Sequence, residues 1–256
     1  MISIKTNRPI RPINTQDIYP KRFGFIYLSG GGDENKTAVI DSFFLRKLEG
    51  KNILFIPIAK SADRNGYKKS RIWLSNKLNA QSKDFIDVSM ILELGKIRDL
   101  EKFSAVYIGG GNTYKLLHLV RESNFLPILR NYIKNGGAVY GASAGAVLMG
   151  RDISTYIEEK YTLENKKNNY TNTKGLAFIG EYSILTHFQG PDRRKLKEYF
   201  ERNNNPVLAI PAGTSVMVED NHATILGNEA VLIFEKGKPT KKIYPNQTFN
   251  LVKCDL

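Results

Sequence analysis

The 256-residue sequence has one cysteine and three histidines. A lone thiol, Cys254, closes no intrachain disulfide, and without a Cys/His cluster there is no zinc-ligand spacing. No metal and no cofactor is therefore expected, and a reducing cytoplasm is the compartment such cysteine usage suggests. No apolar run reaches the roughly 18–20 residues of a membrane helix, so no membrane partner is expected. The opening stretch, "MISIKTNRPIRPINTQDIYPKR", is basic but lacks an apolar centre and a small-residue cleavage site, which speaks against a secretory leader. Residues 1–21 read as an extended arm, and 22–256 as one domain with no linker and no internal repeat. Dinucleotide and P-loop fingerprints, G-x-G-x-x-G and G-K-[ST], are both missing.

Positive charge is what the sequence has in excess: 38 Lys and Arg against 25 Asp and Glu give a formal +13. The lysines are scattered and no basic run is interleaved with aromatics, so nucleic acid is not the expected partner. The same field would steer a small acidic substrate toward a cleft. The only protein partner expected is a second copy of the chain in a homodimer.

Apolar runs alternate with segments of helical period, the pattern of an α/β fold with a mostly parallel sheet. "FGFIYLS", "NILFIPIA", "DFIDVSMI", "FSAVYIGGGN", "GAVYGAS", "EYSILTHF" and "PVLAIPAG" read as strands. Their near-continuous apolar character fits burial on both faces. Helical period appears over 37–49, 67–81 and two stretches between Thr113 and Gly136. From 151 to 180 periodicity fails and a long polar loop is expected. The tail after Gly213 alternates between turn signals and reads as an antiparallel β extension.

Gly141-Ala142-Ser143-Ala144-Gly145 sits between a strand and a helical run and matches the G-x-S-x-G nucleophile elbow. Small residues are needed there because the turn brings backbone segments together and strains the serine. A second cluster, Gly109-Gly110-Gly111-Asn112, also ends a strand. Strand ends on one edge of an α/β sheet meet at one crevice, where an N–H from this loop could face Ser143.

A serine nucleophile needs a base. His118 lies on a packed helical face, and His222 in a hairpin turn. His187, ending "EYSILTHF" before a loop, is the candidate. The acid is left open among Glu158, Glu159, Glu164, Glu181 and Asp192, the last also suited to capping a helix. Glu158 and Glu159 lie in the polar excursion, from which a loop acid could fold back onto His187, and the sequence does not choose among the five. Arg193 and Arg194 suit a substrate carboxylate, or a solvated helix face equally. Asn112 joins them as a substrate-binding candidate.

With "YIGGGNTYKLL", "GASAGAVLM" and "THFQGPDRRKL" in this order, backed by "IYLSGGG" and "LFIPIA", the chain resembles the dipeptidase E and cyanophycinase family of serine peptidases. The resemblance spans roughly residues 22–236. It implies a flavodoxin-like fold akin to class I glutamine amidotransferases, with Ser143 as nucleophile and His187 as base. The N–H groups of Gly111 and Ala144 would then form the oxyanion hole. It further implies hydrolysis of small peptides at aspartyl or β-aspartyl residues, and places a triad acid near Glu158 and Glu159. Relatives often carry an acid where this chain has Ala212. The rival readings are a binding module that has lost its triad acid and an esterase sharing the elbow.

Overall fold

The computed structural model describes residues 24–155, 159–190 and 193–251, with the side chains of residues 193–195 excepted. The arm at 1–21, Glu158, Asp192, Cys254 and the Arg193 and Arg194 side chains lie outside the described residues.

Five parallel strands follow the apolar runs: β1 (Phe25–Ser29), β2 (Asn52–Ile56), β3 (Asp87–Met90), β4 (Ala105–Ile108) and β5 (Ala138–Ala142). They lie in the order β1-β5-β4-β2-β3. Three antiparallel strands extend the sheet past β1: β8 (Thr214–Glu219), β9 (His222–Gly227) and β12 (Thr248–Asn250). A second sheet holds β6 (Ser183–Thr186), β7 (Val207–Ile210), β10 (Val231–Phe234) and β11 (Lys241–Ile243). Its order is β11-β10-β7-β6, with only β6 and β7 parallel. The one-sheet pattern suggested by the alternation thus stops at β5. Strand β8 takes the free edge of β1, pairing Ser29 with Ser215, so β6 and β7 pair with each other instead.

Helices α1 (Glu34–Lys47) and α2 (Arg64–Asn79) cover one face of the large sheet. Helices α3 (Thr113–Glu122), α4 (Phe125–Lys134) and α5 (Ala144–Leu148) cover the other. Helix α6 (Thr162–Lys167) lies in the polar excursion, and α7 (Arg193–Arg202) packs on the second sheet. Helices α1 and α2 begin three residues before their apolar period, because Asp33 and Asp63 cap them by accepting from Lys36 N and Gly66 N. The result is a flavodoxin-like three-layer arrangement.

Alternation sorts the core. Ile26, Val106 and Val139 point toward α3–α5, while Tyr27, Tyr107 and Tyr140 point toward α1 and α2. These tyrosines are register partners on β1, β4 and β5 and stack, with ring centroids 5.3 Å apart for Tyr27–Tyr140 and 4.4 Å for Tyr107–Tyr140. Below them the Asp41 carboxylate of α1 takes the Tyr140 hydroxyl at 2.8 Å and faces the Lys77 ammonium of α2 at 2.9 Å. Because β1, β5 and β4 are adjacent and parallel, their carboxyl ends open on one edge. Gly30–Gly32, Ser143 and Gly109–Asn112 all lie there.

Candidate active site

Ser143 occupies the corner between β5 and α5 with φ 51° and ψ −110°. Non-glycine residues rarely adopt positive φ, and the cost is of order 1–3 kcal/mol. The corner is fixed from both sides: Ser143 N donates to Ser29 O of β1, and Ser143 O accepts from the N–H groups of Ala146 and Val147. The flanking glycines are required by contact. A Cβ on Gly141 would sit 2.6 Å from Gly145 O, and one on Gly145 would sit 2.3 Å from Ile108 O.

His187 follows β6 and also holds a positive φ, 54°. Its N–H donates to Gly30 O and the Phe188 N–H to Ile210 O, so the residue is clamped between β1 and β7. The ring lies over Gly31, where an added Cβ would come within 2.2 Å of Cε1. Held this way, its Nε2 stands 2.8 Å from Ser143 Oγ. A hydroxyl in hydrogen-bond contact with an imidazole nitrogen has a base able to take its proton as it attacks.

Gly110 packs against the serine, since a Cβ there would be 3.2 Å from the Ser143 Cβ. Gly111 has φ 142°, and a Cβ would fall 2.5 Å from Ala59 O. Ala144 begins α5, so its N–H has no partner within the helix. Gly111, Asn112, Tyr114, Ser143, Ala144 and His187 line one cleft with Tyr161 and Asn165 from the polar excursion, leaving about 20 Å³. Burial pushes the Tyr114 phenol up to about 12, so it faces the cleft as a neutral hydroxyl. A much larger cavity, about 990 Å³, opens at the opposite edge among Phe25, Ser104 and Ala138, away from Ser143 and His187. The Ser143–His187 contact, not cavity size, therefore marks the candidate site.

Residues 25–226 match peptidase family S51. The chain belongs to that family. It is a serine-type peptidase by that membership. It is 26% identical over 233 residues to a "Peptidase E" of Pasteurella multocida, covering 88% of this chain and 98% of the relative. A Drosophila melanogaster protein named "Probable alpha-aspartyl dipeptidase" is 28% identical over 167 residues, 60% of this chain and 67% of its own. The crystal structure of a peptidase from an acI-B1 Actinobacterium superposes with a TM-score of 0.65 at 16% identity, over 90% of this chain and 98% of that one. That likeness bears on the fold.

Within this S51 chain, the other sequence candidates separate. The His118 ring packs at a tilt on Tyr170, centroids 4.8 Å apart, and the exposed His222 bonds its own turn through Asp220 O. Glu181 pairs with Arg151 at 3.8 Å and accepts from Asn205. Glu159 is exposed on a 3-10 turn, Glu159–Tyr161. Ala212 lines a separate cavity with Phe188 and Gln189.

Asn112 is buried and caps α3, its Oδ1 accepting from Tyr114 N and Lys115 N. Its Nδ2 donates to Glu164 Oε2 at 2.9 Å and to Asn165 Oδ1 at 2.7 Å. Glu164 Oε1 also accepts from Ser61 Oγ at 2.6 Å, with Lys115 Nζ 3.9 Å away. Burial pushes the Glu164 carboxyl up, but the bonds from Ser61 and Asn112 and the Lys115 charge outweigh it and hold it below the usual range. Sequence reasoning missed Gly31, Ser61 and Lys115. The first had a signal, a third strand-ending glycine cluster; the other two had none.

Proposed function

We propose that Ser143 is the nucleophile and His187 the base of a peptidase that cuts small peptides at aspartyl or β-aspartyl residues. The observation that carries this reading is the 2.8 Å contact between Ser143 Oγ and His187 Nε2 at a strained elbow. Family membership supplies the reaction class, and the Drosophila relative's name supplies the aspartyl preference.

In the proposed cycle Ser143 Oγ attacks the scissile carbonyl carbon as His187 Nε2 takes its proton. The tetrahedral oxyanion is met by the N–H groups of Gly111 and Ala144, and losing one such donor costs about 3 kcal/mol of transition-state stabilisation. His187 returns the proton to the leaving amine, which departs as the acyl-enzyme forms. Water then attacks with His187 again as base, and Ser143 is released. Glu158 or Glu159 serves as the carboxylate that orients the imidazole. Arg193 and Arg194 assist in holding the substrate. The single cysteine fits a reducing cytoplasm.

The test is hydrolysis of Asp-Leu and β-aspartyl-leucine by wild type and Ser143→Ala, with fluorophosphonate labelling of the same proteins. Turnover and labelling lost together in the variant support the assignment. Turnover surviving in Ser143→Ala removes Ser143 as nucleophile.

A further inference from the structure

The contacts of Glu164 resemble those of a bound ligand more than those of a structural side chain. Its carboxylate is met by a hydroxyl, an amide and an ammonium, and each donor is aimed by something other than Glu164. Asn112 is fixed by capping α3, which turns its Nδ2 outward. Lys115 Nζ is held by Lys60 O at 3.1 Å and Ser61 Oγ at 2.9 Å. Ser61 receives that bond and so directs its own proton to Glu164. The donor set is therefore preorganised by the loop after β2 and the start of α3.

The acceptor is held far less firmly. Helix α6 has six residues, none of them buried, and Leu163 beside Glu164 is 80% exposed. A short helix without a buried face gains little from packing, since tertiary burial is what normally stabilises helices. The Glu164 contacts therefore account for much of what ties α6 to the body of the protein. Freeing α6 would leave the three donors in place around an empty carboxylate-sized position.

That position meets the Ser143 cleft through Asn112. Asn112 directly follows Gly111, so their Cα atoms are about 3.8 Å apart. Gly111 and Asn112 line the same cleft as Ser143, as do Tyr161 and Asn165 of the excursion. Between them the cleft leaves about 20 Å³, the room of about one water. Displacement of α6 would widen this narrow cleft for a substrate.

We infer that Ser61, Asn112 and Lys115 form a carboxylate-binding subsite beside Ser143, occupied by Glu164 at rest and taken over by the acidic side chain of the substrate. In an aspartyl residue only the Cα and Cβ separate the backbone carbonyl from the side-chain carboxylate. An acidic substrate replaces one carboxylate by another and so offsets the loss of the Glu164 contacts; a neutral one cannot. The tethered Glu164 competes at an effective concentration that a free ligand must exceed. Its presence thus lowers apparent affinity while sharpening selection for acid. Naming the ligand as an aspartyl side chain rests on the peptidase reading, whereas the subsite itself does not.

The experiment is calorimetric titration of Asp-Leu and Asn-Leu into Ser143→Ala protein. The two dipeptides differ only in the side-chain charge. Adding Glu164→Gln is expected to tighten Asp-Leu binding about tenfold by weakening the competing latch. Adding Lys115→Met or Ser61→Ala to the Ser143→Ala/Glu164→Gln protein, where no carboxylate competes for the donors, is expected to weaken it at least tenfold and about threefold respectively, with Asn-Leu binding little changed. Two donor variants keep the test standing should one fail to fold. Asp-Leu binding unchanged or weakened by Glu164→Gln, unchanged by both donor variants, or absent throughout overturns the subsite. Wild-type turnover and Ser143 labelling judge the peptidase reading separately.

Discussion

Gly31 lies so close beneath the His187 ring that one added carbon would stand 2.2 Å from Cε1 and 2.9 Å from both ring nitrogens. Its φ of +86° independently disfavours any side chain. Gly31→Ala is thus expected to push the imidazole off Ser143 while leaving the sheet intact. A displacement near 1 Å at a catalytic group costs about 100-fold, so kcat/KM on Asp-Leu should fall by that order. Fluorophosphonate labelling should slow in parallel, and far-UV circular dichroism should be unchanged. Labelling at the wild-type rate would show that this contact does not position the ring.

The strain at Ser143 is measurable without activity. Ser143→Ala and Ser143→Gly both remove the hydroxyl, but only glycine adopts φ 51° without steric cost. Relief of about 1–3 kcal/mol less about 1 kcal/mol of extra chain entropy leaves Ser143→Gly more stable by about 1 kcal/mol. For a chain of this size that corresponds to a Tm about 2–4 °C above Ser143→Ala in calorimetry. A Tm equal to or below that of Ser143→Ala would mean that the elbow stores no strain.

How much of this was readable in advance depended on the range of the interactions. The elbow is a local motif, and Ser143 and His187 each end an apolar run, so their placement on the carboxyl edge followed from strand pattern alone. The split of β6 and β7 into a second sheet did not, because β8 takes the edge of β1 from about 190 residues further along the chain, Ser29 pairing with Ser215. Nor did the Glu164 contacts, whose donors stand at positions 61, 112 and 115. The excursion read as loop because α6 buries no residue and so shows no apolar period.

A buried carboxylate sits under the tyrosine stack. Asp41 and Lys77 have side chains 0% and 4% exposed, and Asp41 Oδ2 takes no aligned hydrogen bond besides the 2.9 Å ion pair. Burial pushes the Lys77 ammonium down, but Tyr107 and Asp41 beside it outweigh this and hold it above its usual value. Lys77→Met leaves Asp41 charged and unpaired, for an expected loss of about 3–5 kcal/mol in urea unfolding. Adding Asp41→Leu should restore most of that loss, because replacing a whole buried pair by apolar groups is often neutral. A double variant no more stable than Lys77→Met would show that Asp41 carries more than the pairing.

The latch by Glu164 should respond to acid in a defined direction. Its carboxyl is held below the 4.5 of a free glutamate, so the ionised form is favoured by the closed α6. A group with a depressed pKa contributes its stabilisation fully above its unperturbed value and loses it as pH falls through the depressed one. The closed state should therefore hold from neutrality to about pH 4.5 and loosen progressively below it. The groups facing Glu164 are Lys115 from α3, Tyr67 from α2 and Tyr170 from the excursion, and burial holds both phenols above their usual value, far from that window. Hydrogen exchange over residues 159–168, corrected for the intrinsic pH dependence of amide exchange, should show protection falling below pH 4.5 in wild type. In Glu164→Gln protection should be low and flat across the range. Protection that falls equally with acid in both proteins would place the titrating group elsewhere.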